Sequence, residues 1–258
     1  MIREMRQHLA NWKANPRRAE LPYIFSRLRE LARNRRPELE PPLDPPVETS
    51  SVALLHDPAF LRSVAQVKDR TCLDAPRLAN LWTLVRTVGP GKFLEVGSFR
   101  GGTALHLCNA IDCFHPGSPF YSFDPFEQAG FENLTDCDHV FKAADFTNTR
   151  YEEVRALLAG KPNAQVMQGF FPAAAAGLEL DQIAFCHLDV DIYAATRDSL
   201  NFLSTRLAPR SAVMLDDLDH CETPGVRMAV EEFLAGHPGF LLFPVFPCQG
   251  ILISKALW

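Results

Sequence analysis

From residue 92 onward, short apolar segments alternate with segments of helical periodicity, and this alternation constrains the fold more than any other feature. The apolar segments are almost continuously hydrophobic, which is typical of strands covered on both faces. Strands that alternate with helices predict a parallel sheet with helices packed on both sides. In chain order the segments are KFLEVG, TALHLCNAI, FYSFD, YEEVRALLAG, AQVMQG, IAFCHLDV, TRDSLNFLSTRL, SAVMLDD and VRMAVEEFLAG.

The last two predicted strands depart from this alternation. GFLLFPVF and GILISKAL are separated only by Pro247, Cys248 and Gln249, so we expect them to pair as antiparallel neighbours. The predicted fold class is therefore α/β. It has a doubly wound, mostly parallel, Rossmann-like sheet of seven strands, a C-terminal antiparallel strand pair and an N-terminal helical extension.

Residues 1–50 are predicted to form the extension and a Pro-rich linker. Apolar residues at helical spacing predict two short helices that break near Pro16, and the run PPLDPP at 41–46 excludes helix and marks a boundary. We expect the extension to be an oligomerisation arm, which would give a homo-oligomer, or a lid over the substrate. Residues 51–258 form the main domain, with cap helices at 51–88, where Asp74 is the expected N-cap before Pro76, and the Rossmann-like core at 89–258.

Composition excludes several classes of partner. The chain has 258 residues and a formal net charge of −5, which argues against nucleic acid and anionic membranes as partners. No apolar run approaches the roughly 18 residues that span a bilayer, and the N-terminus lacks the apolar segment of a signal peptide, so we expect a cytoplasmic protein. The seven cysteines include no CxxC pair, so neither a disulfide framework nor a zinc site is predicted.

A glycine-rich turn, FLEVGSFRGGT, follows the first predicted strand of the core. Doubly wound sheets bind ligands at this place, where a helix N-terminus presents free N–H groups. A dinucleotide-binding G-x-G-x-x-G motif that starts at Gly97 would require glycine at position 99, where the chain has Phe99. The observed spacing, E-x-G-x-x-x-G-G-T, indicates either a different cofactor or a tight turn that needs glycine for its geometry alone.

This spacing resembles the first motif of class I S-adenosylmethionine-dependent methyltransferases. The resemblance implies that Gly97 and Gly101 let the backbone approach the methionine part of the cofactor. Glu95, Ser98 and Thr103 lie on or beside the same loop and are also expected to contact the cofactor.

The ends of the second and third strands supply further candidate cofactor contacts. Asp124 closes the second strand, where its carboxylate can accept hydrogen bonds from two ribose hydroxyls, although it could instead begin the turn at Pro125. The third strand closes with a polar side chain, a glycine and an aromatic residue, a combination that suits an adenine pocket, although the aromatic residue could equally belong to the core. The candidates in these two segments are Asp124, Phe126, Gln168, Gly169 and Phe170, and Asp189 after the fourth strand is a further candidate cofactor contact.

Acidic residues cluster at the ends of the fourth and fifth strands, in HLDVDIY and DDLDH. Because neighbouring parallel strands end at the same edge of a sheet, Asp189, Asp216 and Asp217 should converge beside the cofactor. Three carboxylates in one cleft require a cation or raised pKa values. Mg²⁺, a hard ion that prefers oxygen ligands, is the simplest partner. The alternative is that these aspartates cap the helices that follow.

The segment LDVDIYAATRDSLNFLSTRLAPRSAVMLDD, followed by GVRMAVEEF, resembles the macrocin O-methyltransferase (TylF/MycF-type) family. That family carries LDGDxYxST and then a DD pair 27 residues after the first aspartate, as here from Asp189 to Asp216. The DPFE segment at 124–127 and EVGSFRGGT are also similar to family motifs. The resemblance implies that Asp189, Asp216 and Asp217 hold Mg²⁺.

Methyl transfer to an oxygen also requires a base near the cluster. His139 lies in the segment between the second and third strands, where the resemblance implies a catalytic histidine in a mobile lid, and His220 lies just beyond the DD pair. We therefore expect an O-methyltransferase that uses S-adenosylmethionine and Mg²⁺ and acts on a hydroxyl of a small molecule, a sugar or a phenol. The alternatives are a hydroxylase or another enzyme on the same scaffold, and a non-catalytic S-adenosylmethionine-binding module.

Overall fold

The computed structural model describes residue 54 and residues 56–258. The helices, linker and oligomerisation or lid role predicted for residues 1–50 lie outside the described residues. The α-helices of the described part are α1 (Pro58–Val67), α2 (Ala75–Thr87), α3 (Gly102–Phe114), α4 (Tyr151–Leu157), α5 (Tyr193–Leu203) and α6 (Pro224–Gly236). None of these helices has the length and apolar character needed to cross a membrane.

Seven strands form one mixed sheet in the order β3-β2-β1-β4-β5-β7-β6. The first five pair in parallel, and β7 pairs antiparallel with both β5 and β6. This topology confirms the predicted doubly wound sheet with a C-terminal antiparallel pair. The strands are β1 (Lys92–Val96), β2 (Phe120–Asp124), β3 (Ala164–Gln168), β4 (Ile183–Leu188), β5 (Leu207–Leu215), β6 (Phe240–Val245) and β7 (Gln249–Ser254).

The two helices before the sheet begin at aspartate caps. Asp57 accepts the backbone N–H groups of Ala59 and Phe60 at the start of α1. Asp74 accepts the backbone N–H of Arg77 at 3.0 Å, which confirms it as the N-cap of α2. A cap of this kind satisfies one of the free N–H groups of the first helical turn, so the sequence sets the start of each helix locally.

Each face of the sheet packs on its own set of helices. One face packs on α1, α2 and α3, with Trp82 and Phe93 among its fully buried residues. The other packs on α5 and α6, with Leu200 and Val230 in contact with the strands. Burial on both faces explains why the parallel strands are almost continuously apolar.

The register of the sheet brings the carboxyl ends of the central strands to one edge. Leu188 at the end of β4 lies opposite Val96 of β1 and Leu215 of β5. The ladder continues one residue beyond each strand, because the Asp189 N–H donates to the Val96 carbonyl and the Asp216 N–H donates to the Leu188 carbonyl, both at 2.9 Å. The residues that follow these strands therefore share one edge.

Candidate active site

The glycine-rich turn is tightly packed against the loop that follows β4. Gly97 has a φ of 93°, and a Cβ atom built there would lie 1.7 Å from the Asp189 carbonyl oxygen. Gly101 has a φ of 76° and faces Val154 of α4. Only glycine fits both the backbone conformation and the space at position 97. The turn therefore needs these glycines for its geometry, and it lies directly against the first residue of the acidic cluster.

Asp124 holds the turn in place from the end of β2. Its Oδ2 accepts the backbone N–H groups of Ser98 at 2.9 Å and Phe99 at 3.0 Å, and its Oδ1 accepts the N–H of Phe126 at 2.6 Å. Burial raises the pKa of Asp124, and these three hydrogen bonds oppose that rise. Two carboxylate oxygens offer about four acceptor positions, so one remains for a ligand.

Several predicted cofactor contacts have side chains that are used inside the protein. Glu95 lies within β1, is fully buried, and accepts a hydrogen bond from the Ser122 hydroxyl at 2.8 Å. Ser122 also bonds the hydroxyl of Ser98, and Thr103 bonds Thr71 at 2.7 Å. Within the turn, the backbone, the partly exposed Phe99 and the exposed Arg100 therefore remain available to a ligand.

The end of β3 lies beside Asp124, as the sequence predicts. Gln168 is opposite Asp124 in the register, and the Gly169 N–H donates to the Asp124 carbonyl at 2.9 Å. Gln168, Gly169 and Phe170 are all partly exposed at this edge. Phe126, in contrast, is fully buried and packs edge-to-face on Tyr151. The structure brings the β3 residues to the edge and places the Phe126 side chain in the core.

The acidic cluster forms two overlapping groups at the ends of β4 and β5. In one group, carboxylate oxygens of Asp189, Asp191 and Asp217 lie within 4.8 Å of one another. In the other group, one ring nitrogen of His187 and carboxylate oxygens of Asp189 and Asp216 lie within 4.8 Å of one another. Asp189, Asp216 and Asp217 thus converge at one edge, and the structure adds Asp191 and His187 to them.

The pKa values of the cluster indicate negative charge that the protein only partly compensates. Burial raises the pKa of Asp191 to about 8, with further increases from Asp217 and Asp216. Burial and the same neighbouring carboxylates raise the pKa of Asp189 well above its usual range. Burial also raises the pKa of Asp216. Carboxylates crowded in this way favour a bound cation.

Arg77 of α2 is the cation that the protein itself supplies to the cluster. Its Nη1 donates to Asp216 Oδ2 at 2.6 Å and lies 3.4 Å from Asp217 Oδ1, while its Nη2 donates to the Cys72 carbonyl at 2.7 Å. Gln249 of β7 donates to the other oxygen of Asp216 at 2.7 Å. Among the residues that the structure describes, no basic side chain forms an ion pair with Asp189 or Asp191. Without a bound cation, repulsion on that side is relieved by bound protons, in keeping with the raised pKa values of Asp189 and Asp191.

A comparison with known protein families identifies the chain. The model of the macrocin O-methyltransferase (TylF) family matches residues 68–238. The chain belongs to this family. It is accordingly an O-methyltransferase that depends on S-adenosylmethionine, as the sequence predicts, and the matched segment includes the glycine-rich turn and the acidic cluster.

Individual relatives agree with the family assignment. Mycinamicin III 3''-O-methyltransferase of Micromonospora griseorubida is 26% identical over 186 residues, covering 65% of this chain and 71% of the relative. The 8-demethyl-8-(2,3-dimethoxy-alpha-L-rhamnosyl)-tetracenomycin-C 4'-O-methyltransferase of Streptomyces olivaceus is 28% identical over 169 residues, covering 58% of this chain and 64% of the relative.

Solved structures show the same fold. The O-methyltransferase NovP is 21% identical, with a TM-score of 0.61 over 72% of this chain and 81% of NovP. The calicheamicin methyltransferase CalS11 is also 21% identical, with a TM-score of 0.60 over 78% of this chain and 88% of CalS11. At this identity the likeness establishes the α/β methyltransferase fold and leaves the substrate to other observations.

The two candidate bases of this family member lie outside the acidic groups. His139 and His220 are both exposed, and His220 Nδ1 accepts the Glu222 N–H at 3.4 Å. His139 follows the buried Asp138, whose Oδ1 accepts the N–H of Tyr193 at 2.9 Å at the start of α5. Asp138 thereby fixes the segment that carries His139 to the helix that follows the acidic loop.

A cavity of about 560 Å³ opens between the glycine-rich turn, the β2–β3 connection and the loop after β5. Three of its nine lining residues are aromatic, and Phe99 from the turn packs edge-to-face on Phe146. Val140, next to His139, and Glu222, which contacts His220, both lie in the wall. The lining residues are Phe99, Val140, Phe141, Ala144, Asp145, Phe146, Thr147, Asn148 and Glu222.

Proposed function

We propose that this chain transfers the methyl group of S-adenosylmethionine to a hydroxyl of a sugar carried by a natural product, with a divalent cation bound at the acidic cluster. The observation that carries the proposal is the contact between the glycine-rich turn and the cluster. Gly97 abuts the Asp189 backbone, so a cofactor on the turn and a cation on the carboxylates would lie side by side.

The sugar acceptor is supported by the relatives and by the cavity. The tetracenomycin enzyme is named as an O-methyltransferase of a compound that carries a rhamnosyl group, and the mycinamicin enzyme as one that methylates mycinamicin III. The cavity of this chain combines Phe99, Phe141 and Phe146 with the polar groups of Thr147 and Asn148. Aromatic faces that pack against a sugar ring, and polar groups that bond its hydroxyls, are typical of small-molecule pockets with a few placed polar contacts.

The residues present fit a divalent cation. Asp189, Asp191 and Asp217 offer three oxygen donors within 4.8 Å of one another, the donor type that Mg²⁺ prefers. Arg77 compensates part of the charge of the cluster through Asp216 and Asp217, while Asp191 carries a pKa of about 8. A bound cation would supply a Lewis acid that makes a coordinated hydroxyl more acidic.

The protein's own residues have three tasks in this reaction. The turn and the end of β3 hold the cofactor, the cavity holds the acceptor, and a base removes the hydroxyl proton. The acceptor oxygen attacks the methyl carbon in line as the carbon–sulfur bond breaks, so the products are the methyl ether and S-adenosylhomocysteine. His139 and His220 are the candidate bases, because each borders a residue of the cavity wall.

The test is methyl transfer from labelled S-adenosylmethionine to two panels of acceptors, glycosylated natural products and free phenols. We expect label on a sugar hydroxyl, loss of transfer after chelation, and recovery when a divalent cation is added. Asp217→Asn should lower the rate by about 10- to 100-fold. The control, Asp219→Asn, alters an exposed acid that pairs with Arg227 and should leave the rate unchanged. Label only on phenols, or full activity in chelator, would contradict the proposal.

A further inference from the structure

His187 is a buried histidine without a hydrogen-bond partner. It lies in β4, opposite Glu95 of β1 and Met214 of β5, and its side chain has no solvent exposure. Among the described residues, neither of its ring nitrogens has a hydrogen-bond partner. Burying a polar group without a partner is costly, so the two imidazole nitrogens require a partner such as an ion or a buried water.

The His187 ring lies close both to the Glu95 carboxylate and to the acidic cluster. One ring nitrogen is within 4.8 Å of carboxylate oxygens of Asp189 and Asp216. Nδ1 lies 3.7 Å from Oε1 of Glu95, just beyond hydrogen-bond distance, and that oxygen has no hydrogen-bond partner within residues 56–258. Histidines that bind metals commonly direct their other nitrogen to a carboxylate in this way, which fixes the tautomer and the ring orientation.

We propose that His187, together with Asp189 and Asp216, gives the cluster a nitrogen-containing site that binds a divalent first-row transition-metal ion in preference to Mg²⁺. The inference rests on the proposed cation dependence. It assigns the ion to the donor group that contains His187, which shares Asp189 with the all-oxygen group, and it specifies the metal class. Imidazole suits the borderline transition metals, whereas Mg²⁺ selects oxygen ligands. Glu95 is the positioning residue, because its unpartnered Oε1 can accept the N–H of Nδ1 when the other ring nitrogen binds the ion.

The contacts of Asp216 are compatible with this role. Its Oδ2 accepts from Arg77 and its Oδ1 accepts from Gln249, which uses one acceptor position on each oxygen. Each carboxylate oxygen has a second lone pair, so Asp216 can coordinate an ion while these two donors hold its orientation. Carboxylates that bind metals are usually hydrogen-bonded in the same manner.

Calorimetric titration of the full, chelator-stripped chain with Co²⁺ and with Mg²⁺ tests the preference. We expect Co²⁺ to bind at least 10-fold more tightly than Mg²⁺. His187→Gln exchanges the nitrogen donor for an amide oxygen, so it should weaken Co²⁺ binding by about 10- to 100-fold and change Mg²⁺ binding little. His106→Gln is the control, because His106 is equally buried but both of its nitrogens are hydrogen-bonded, to Ser63 and Leu78.

Pulsed electron paramagnetic resonance of the Mn²⁺-loaded wild-type chain gives a readout that needs no variant. A nitrogen-14 coupling to the bound Mn²⁺ is expected from direct ligation by His187. Absence of that coupling, or an unchanged ratio of Co²⁺ to Mg²⁺ affinity in His187→Gln, would overturn the inference while leaving an all-oxygen cation site intact. Failure of both ions to bind would overturn the inference and the proposed cation dependence together.

Discussion

Arg77 and Asp216, 139 residues apart in the chain, form an ion pair of 2.6 Å at the edge of the sheet. The Arg77 side chain is 15% exposed and that of Asp216 only 1%. The same guanidinium bonds the carbonyl of Cys72, which precedes α2. One side chain thus joins the cap helices to the acidic cluster and supplies part of the positive charge that the cluster requires.

Replacing Arg77 by Gln should destabilise the protein and make it more dependent on a cation. Removing one member of a buried ion pair leaves an uncompensated charge and costs about 3–5 kcal/mol. A divalent cation would then supply the main positive charge at the cluster, so it should raise the melting temperature more in the variant than in the wild type. Thermal unfolding with and without Mg²⁺ measures both effects. Arg77→Lys retains the charge and should lose less stability than Arg77→Gln. An equal rise in melting temperature with Mg²⁺ in the wild type and both variants would contradict the prediction.

The fold followed from the sequence because its signals are local. Strand and helix periods, the cap at Asp74 and the glycines of the first turn are all visible within a few residues. The convergence of Asp189 with Asp216 also followed, because parallel neighbours end at one edge of a sheet.

The partners of these residues could not be predicted in the same way. Arg77 and Gln249 reach Asp216 from α2 and β7, and such long-range contacts leave no local pattern. In the sequence, His187 is simply one residue of a predicted buried strand, with no local pattern that indicates its partners. The sequence places Glu95 beside the turn, but only the register shows that its carboxyl faces Ser122 and His187. Backbone direction was predictable, whereas side-chain pairing across the sheet was not.

Gly97→Ala should be far more harmful than a comparable change elsewhere. The new Cβ would lie 1.7 Å from the Asp189 carbonyl oxygen, so the turn and the β4 loop would have to separate. Gly117→Ala is the matched control, because Gly117 also has a positive φ, 84°, but has no atoms within 4 Å of the added Cβ. The left-handed backbone conformation alone costs an alanine about 1–2 kcal/mol, so Gly117→Ala should lose about that much stability. Denaturant unfolding should show a greater loss for Gly97→Ala, and equal losses would contradict the clash.

Asp124→Asn should weaken cofactor binding by loosening the turn. The carboxylate accepts three backbone N–H groups, and an amide nitrogen cannot replace an acceptor oxygen, so at least one N–H loses its partner. We expect a loss of about 1–3 kcal/mol in stability. Amide hydrogen exchange should become faster at Phe126 if the new amide oxygen takes the Oδ2 position, and at Ser98 and Phe99 if it takes the Oδ1 position. Titration with S-adenosylhomocysteine should show weaker binding. Asp136→Asn, an exposed acid, serves as the control, and unchanged exchange in Asp124→Asn would contradict the role of Asp124 in the turn.

The cation-free protein should lose stability as the pH rises from about 4 to about 8. Asp191 has a pKa of about 8 in the folded protein against 3.8 for an ordinary aspartate, mainly because of burial. Between these values the folded state retains a proton that the unfolded chain has lost, so the free energy of unfolding falls with increasing pH. Melting temperatures in chelator should show this slope, and Asp191→Asn should reduce it. A divalent cation should stabilise the wild type most at the upper end of the range. A flat profile in chelator would contradict the raised pKa.

His139→Gln and His220→Gln should separate the two candidate bases. The base must be neutral to accept the hydroxyl proton, so the rate should fall at acidic pH, where the base becomes protonated. Removing the base should lower the rate by about 10²- to 10⁴-fold and abolish this acidic limb, while removing the other histidine should preserve the limb. Single-turnover methyl transfer across the pH range measures both quantities. His56→Gln, an exposed histidine outside the cavity lining, is the control. If both variants keep the acidic limb, neither histidine is the base, and the proton must leave through another group of the site.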